Sequence, residues 1–101
     1  MMNLRLTIYV NEADRLGEVP LYEVLVRRLL HLEIAGATVT RGVMGYGRHG
    51  KVHRQRLFGV SDDRPMMITA IDEPVRLRAV LSQLKAMVPE GLMILEEVEV
   101  L

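Results

Sequence analysis

Apolar and polar residues alternate at the start of the chain. Leu4, Leu6, Ile8 and Val10 interleave with Arg5, Thr7 and Tyr9. A period of two sustained from Leu4 to Val10 predicts a strand with one face in a core. Residues 11–18 are polar, carry Gly17 and read as a loop. The period then changes. Leu21, Val24, Leu25, Leu29 and Leu32 follow the spacing of an amphipathic helix, while Arg27, Arg28 and His31 occupy other faces. Pro20 suits the first helical turn, where its missing N–H costs nothing. Gly36 stands where a left-handed C-cap is expected. The first helix is therefore predicted from about Pro20 to Ala35.

A second strand is predicted from about Ala37 to Met44, leading into a glycine-rich stretch. Lys51 to Phe58 alternates again and suits either a mobile loop or a hairpin arm, and Gly59 to Arg64 is turn-like. Met66 to Ile71 is an apolar run of strand length. Asp72, Glu73 and Pro74 form a helix start signal, with a cap candidate, acid at the positive dipole end and Pro in the first turn. Leu77, Val80, Leu81, Leu84 and Val88 recur at helical spacing, so the second helix runs from Pro74 to about Met87, where Pro89 and Gly91 stop it. Leu92 to Leu101 closes the chain as a strand.

The order β-α-β-β-α-β predicts an α+β, ferredoxin-like sandwich. Two right-handed crossovers pack two helices on one face of a four-stranded antiparallel sheet, with the first and third strands central. The other face keeps apolar residues, and large exposed apolar patches mark interaction surfaces. Self-association through the sheet is therefore expected. At 101 residues the chain reads as one domain, 1–101, with a mobile loop at about 45–64. A domain this small is marginal alone and gains from oligomerisation. With no Cys, no disulfide or zinc–thiolate site is available. The N-terminal segment has charge inside its apolar run and does not read as a signal peptide. No apolar run approaches the roughly 20 residues that span a bilayer. The expectation is a cytoplasmic, prokaryotic protein.

Charge sharpens this picture. The formal net charge is zero, yet no Asp or Glu occurs between Glu33 and Asp62. Gly42, Gly45, Gly47 and Gly50 lie in that interval with Arg41, Arg48, Lys51, Arg54 and Arg56. Glycines expose backbone donors and cations attract from a distance, so Gly45, Gly47, Arg48 and Lys51 suit a small anion. The competing reading is a hairpin tip kept soluble by its cations. Tyr46, His49, Arg54 and Arg56 are candidates for contact with a protein partner. His49, His53 and His31 lack the carboxylate or thiolate that completes a metal set, so no metal is expected. The chain shows no paired acid and base or placed nucleophile, and an enzyme is not expected. Few aromatics are available for stacking, and nucleic acid is not expected as a partner.

The loop resembles a known family. The segment GATVTRGVMGYGRHGK is similar to the strand end and T-loop start of PII-type nitrogen-regulatory signalling proteins, where G-x-T-V-T leads into G-[FY]-G-R. The Tyr9–Asn11 exit, PLYE, AGATV-x-RG-x-MG and the final EGL-x-x-L-E-x-V-x-V resemble more closely an uncharacterised bacterial PII-like family, a domain of unknown function. Some members are encoded beside, or fused to, fluoride-exporter-type membrane proteins. The resemblance covers nearly the whole chain. It implies a homotrimer with an effector, such as an adenine nucleotide or another small anion, in clefts between subunits, and no obligatory cofactor. Thr38 and Thr40 would line that cleft. Gly45 and Gly47 would let backbone N–H groups approach a phosphate. Arg48 falls at the loop arginine, and Lys51 matches a phosphate-binding lysine with one residue of altered spacing. The sequence departs from PII proteins after the second helix. There Val88-Pro89-Glu90-Gly91 replaces a glycine-rich phosphate loop, so half of the triphosphate cradle is missing. That argues against ATP held in the PII manner and leaves an AMP-like, dinucleotide or non-nucleotide ligand, or none, open. The alternative is a ligand-free adaptor that docks on a membrane transporter through the loop.

Overall fold

The computed structural model describes residues 1–47, 52–54 and 63–101, with 52–54 described through the backbone alone. Its main sheet has four antiparallel strands, β1 (Met2–Asn11), β4 (Ala37–Arg41), β7 (Pro65–Asp72) and β8 (Leu92–Glu99). Their spatial order is β4-β7-β1-β8, which puts the first and third main strands at the centre as the element order requires. Helices α1 (Leu21–His31) and α2 (Pro74–Met87) complete the ferredoxin-like α+β fold. Two short hairpins are added, β2 (Arg15–Leu16) with β3 (Val19–Pro20), and β5 (Met44–Tyr46) with β6 (Val52–Arg54).

The period-two pattern of β1 sets the core. Leu4, Leu6, Ile8 and Val10 are buried, and their partners on β7 are Asp72, Ala70, Ile68 and Met66. Val39 on β4, and Met93 and Leu95 on β8, extend this layer. Leu21, Leu25 and Leu29 of α1, and Leu77, Val80 and Leu84 of α2, close over it. Fully burying one such side chain contributes about 1.5–3 kcal/mol.

The opposite face carries no helix. It presents Tyr9, Met67, Ile71, Leu92, Ile94 and Val98, by the alternation and pairing of β1, β7 and β8. Tyr9, Ile71 and Leu92 are exposed. Arg5 bridges Glu96 across the strands at 3.0 Å on this same face. Thr7 is nevertheless buried, flanked by Ile94 and Thr69 on the neighbouring strands.

Three sequence expectations are corrected. First, α1 ends at His31, not Ala35, and the left-handed residue is Glu33 at φ 62°, not Gly36. Glu33 N–H donates to Leu30 O at 3.0 Å and Ile34 N–H to Leu29 O at 3.1 Å, the paired bonds of a Schellman motif. Leu29 and Ile34 are both buried in the core, so the apolar contact of that motif fixes the exit. Second, the strand after Ala37 stops at Arg41 and restarts at Met44. Third, neither Asp72 nor Glu73 caps α2 with its side chain. The buried Asp72 carboxylate instead accepts from Ala35 N–H at 3.0 Å and Glu73 N–H at 2.7 Å. It thereby joins the exit of α1 to the entry of α2. The polar stretch 11–18 contains β2, with Gly17 at φ 65° in its turn.

Candidate functional site

The candidate residues that the structure describes lie on the β4 edge and the β5–β6 hairpin that leaves it. Thr38 pairs with Thr69 and Thr40 with Met67, so both threonines point to the helix-free face, where both are exposed. Thr40 Oγ1 lies 3.5 Å from Met67 O, at the long limit of a hydrogen bond. The two hydroxyls are thus available at the sheet edge.

Past Arg41 the chain kinks because Pro65 occupies the space beside it. A Cβ on Gly42 would stand 2.7 Å from Pro65 Cγ and 3.2 Å from its carbonyl oxygen. Gly42 N–H donates to that oxygen at 2.7 Å. Gly45 approaches the same ring, with its Cβ position 3.3 Å from Pro65 Cγ. These two glycines therefore admit a proline ring, which is a packing role that the glycine count does not reveal. Among the described residues nothing lies within 4 Å of a Cβ placed on Gly47. Gly45 pairs with His53 and Tyr46 with Val52, which gives 52–54 the hairpin-arm form rather than a loop. Tyr46 is exposed, as are Val43 and Met44 beside it.

Arg48, Lys51, His49 and Arg56 lie outside the described residues, as does most of the expected mobile stretch. Arg54 closes the hairpin opposite Met44 through its backbone. Among the described residues, the structure brings Thr38, Thr40, Gly45, Tyr46 and Gly47 into one continuous segment.

Sequence reasoning missed one contact at the base of this segment. Arg41 Nη2 lies 2.7 Å from Glu12 Oε2, and Glu12 is only 14% exposed. Glu12 sits just past β1 in what reads as a polar loop, and no local pattern links it to Arg41. Across the fold, a surface depression on α1 is lined by Val19, Glu23, Val24, Arg27, Arg28 and His31. It holds none of the candidate residues, and two of its cations are engaged, Arg27 with Glu23 and Arg28 with Gln83. Among the described residues no group of three or more His, Asp or Glu is placed to hold a metal. No described helix is long and apolar enough to cross a membrane.

Residues 3–100 match a family described as DUF190, Uncharacterized ACR. The chain belongs to that family. A curated relative, a UPF0166 protein of Aquifex aeolicus, is 31% identical over 96 residues, which is 95% of this chain and 90% of the relative. Among solved structures, this DUF190 chain is similar to CPII, a nitrogen regulatory PII-like protein from Thiomonas intermedia K12. The TM-score is 0.75 at 20% identity, over 99% of this chain and 89% of the other. That protein was solved bound to ADP, AMP and bicarbonate. A protein of Thermus thermophilus assigned as PII-like and signalling aligns with a TM-score of 0.72 at 19% identity, over 99% and 90% of the two chains. The ferredoxin-like fold of this family member is thus shared, by shape, with PII-like proteins.

Proposed function

We propose that this DUF190 protein is a PII-like regulatory protein, a homotrimer that takes a small anionic effector in clefts between its subunits. The observation that carries the reading is the helix-free sheet face. Tyr9, Met67, Ile71, Leu92, Ile94 and Val98 give it an apolar character that a second copy would cover. Copies meeting across that face bring the Thr38 and Thr40 edge of one subunit against its neighbour. The basic hairpin that leaves this edge supplies attraction for the anion and a surface for a protein target.

An adenine nucleotide with fewer than three phosphates is the favoured effector class. The PII-like CPII, which shares this fold, binds ADP and AMP. In this chain the connection from α2 to β8 is a tight turn, with Val88 N–H donating to Lys85 O and Gly91 N–H to Val88 O at 3.1 and 3.0 Å. It offers no second glycine-rich loop for a triphosphate. Ordering of a loop by its ligand is one physical route from such binding to a partner.

Light scattering at micromolar concentration tests the assembly, and Ile94→Glu or Met67→Glu should dissociate it without unfolding the subunit. A particle of 11.5 kDa for the unaltered chain would remove the intersubunit cleft. Calorimetry against AMP, ADP and ATP tests the effector. Binding of AMP or ADP that Thr40→Ala weakens supports the reading, and absence of heat with every nucleotide overturns it.

A further inference from the structure

Arg41 opens a run of sequence that holds five cations and no acid up to Arg56. In the fold that first cation already has an anion. Glu12 Oε2 lies 2.7 Å from Arg41 Nη2, and Glu12 Oε1 accepts the Arg64 backbone N–H at 3.3 Å. Glu12 N–H returns a bond to Arg64 O at 2.8 Å, and Ala13 N–H donates to Asp63 Oδ1 at 3.1 Å. Arg41 is the last residue of β4, and Arg64 precedes β7. One carboxylate therefore touches both the place where the chain leaves the sheet and the place where it returns.

The two partners differ in access. The Glu12 side chain is 14% exposed, whereas the Arg41 side chain is 46% exposed. A guanidinium has five N–H donors in a fixed fork, and phosphate oxygens match that fork in pairs. A phosphate-class anion can thus approach Arg41 from solvent and compete with Glu12. Glu12 would then keep a shielded charge without its cation, an arrangement that folded proteins do not tolerate well. The carboxylate would turn to water and give up the Arg64 N–H.

We propose that Glu12 is a built-in stand-in for an anion at Arg41, and that a phosphate-class anion taking Arg41 from it loosens the chain at Ala13 and Arg64. Arg41 lies on the helix side of β4, by its pairing with Met66, while Thr38 and Thr40 lie on the other face. The latch is therefore separate from the threonine edge. Its anion arm rests on the regulatory reading above, but its fastening arm does not.

Amide hydrogen exchange on the full chain, resolved by NMR, tests both arms. Arg41→Gln and Glu12→Ala should each speed exchange at Ala13 and Arg64 by about tenfold or more, the loss expected for a charge-assisted bond. Ile8 and Ile68 amides, in the sheet centre, should stay slow and report an intact fold. Saturating pyrophosphate should produce the same acceleration in the unaltered chain and no further change in Arg41→Gln. Potassium chloride at matched ionic strength should not reproduce it. Unchanged exchange in both variants overturns the latch. An unaltered chain that ignores pyrophosphate, or responds equally to chloride, overturns the competition. Absence of nucleotide binding in calorimetry removes the effector reading alone, and leaves the Arg41→Gln result to decide the latch.

Discussion

Gly42→Ala is the sharpest test of how the hairpin is rooted. The new methyl would stand 2.7 Å from Pro65 Cγ and 3.2 Å from Pro65 O. Carbon atoms pack comfortably at about 3.5–4.0 Å, so one residue must move by nearly an ångström. Pro65 cannot swing aside as a flexible side chain would, because its ring is closed. Moving it also strains the 2.7 Å bond from Gly42 N–H to Pro65 O. Overpacking of this kind costs about 1–3 kcal/mol. Alanine reduces the freedom of the unfolded chain and recovers about 0.4–1 kcal/mol. Gly42 is not among the residues with positive φ, so no backbone strain is added. The net expectation is a loss of about 1 kcal/mol, weighing the overpacking cost against that recovery. For a domain of this size that lowers Tm by about 4–8 °C. Urea unfolding at one fixed protein concentration measures it, since association would otherwise move the midpoint. Pro65→Ala removes the atom nearest the clash, so the double variant should recover part of the loss. The carbonyl contact remains, and recovery is therefore incomplete. A coupling energy of about 0.5 kcal/mol or more between the two sites is expected. A Gly42→Ala chain as stable as the unaltered one, or zero coupling, would refute the reasoning.

Other consequences follow from the corrected elements. Glu33→Gly places the favoured residue at φ 62° and should stabilise by about 0.5–1 kcal/mol, the strain relieved less the freedom added to the unfolded chain; thermal unfolding would show a loss instead if the Schellman bonds are absent. Asp72→Ala leaves the Ala35 and Glu73 N–H groups without their acceptor and should cost about 3 kcal/mol in chemical denaturation. Asp72→Asn should cost less, since one oxygen is kept. Arg5→Ala breaks a half-exposed pair with Glu96 and should cost no more than about 1 kcal/mol, less at high salt. A larger effect at high salt would mean that this pair is covered in the assembled protein.

How much of this was legible depended on how local each cause is. The alternation in β1 fixed one face of the sheet, the apolar run Met66 to Ile71 marked β7, and Pro74 marked the start of α2, because these signals act within a few residues. The order of elements then left few topologies, and the central positions of β1 and β7 followed. The exit of α1 was misread because a glycine near the expected end is a strong local signal. The structure prefers Glu33 there, since stopping at His31 lets Leu29 and Ile34 enter the core together. Arg76 also reaches the Glu33 carbonyl at 3.0 Å, which no local pattern announces. Thr38 and Thr40 were singled out by the family resemblance alone, and the register of β4 puts them on the face opposite Ala37 and Val39. The Glu12–Arg41 contact was not visible because one partner follows β1 and the other ends β4, with the whole first helix between them in sequence.

The loop is where sequence signals and structural causes part most clearly. Glycine and positive charge together suggest an anion nest, yet each has a second use here. Gly42 and Gly45 give passage to Pro65, so their lack of a side chain is already explained by packing. Of the basic residues from Arg41 to Arg56, the first is neutralised by an acid that lies outside the acid-free interval. The case for anion binding therefore moves along the chain. No described residue crowds Gly47, and Thr38 and Thr40 offer hydroxyls on the helix-free face. An anion held there would touch groups that packing among the described residues has not claimed, whereas an anion at Arg41 must first displace Glu12. The two sites predict opposite responses to loss of Arg41. Binding at the threonine edge should survive Arg41→Gln, while the pyrophosphate response at Ala13 and Arg64 should vanish. Calorimetry and exchange on that single variant would separate them.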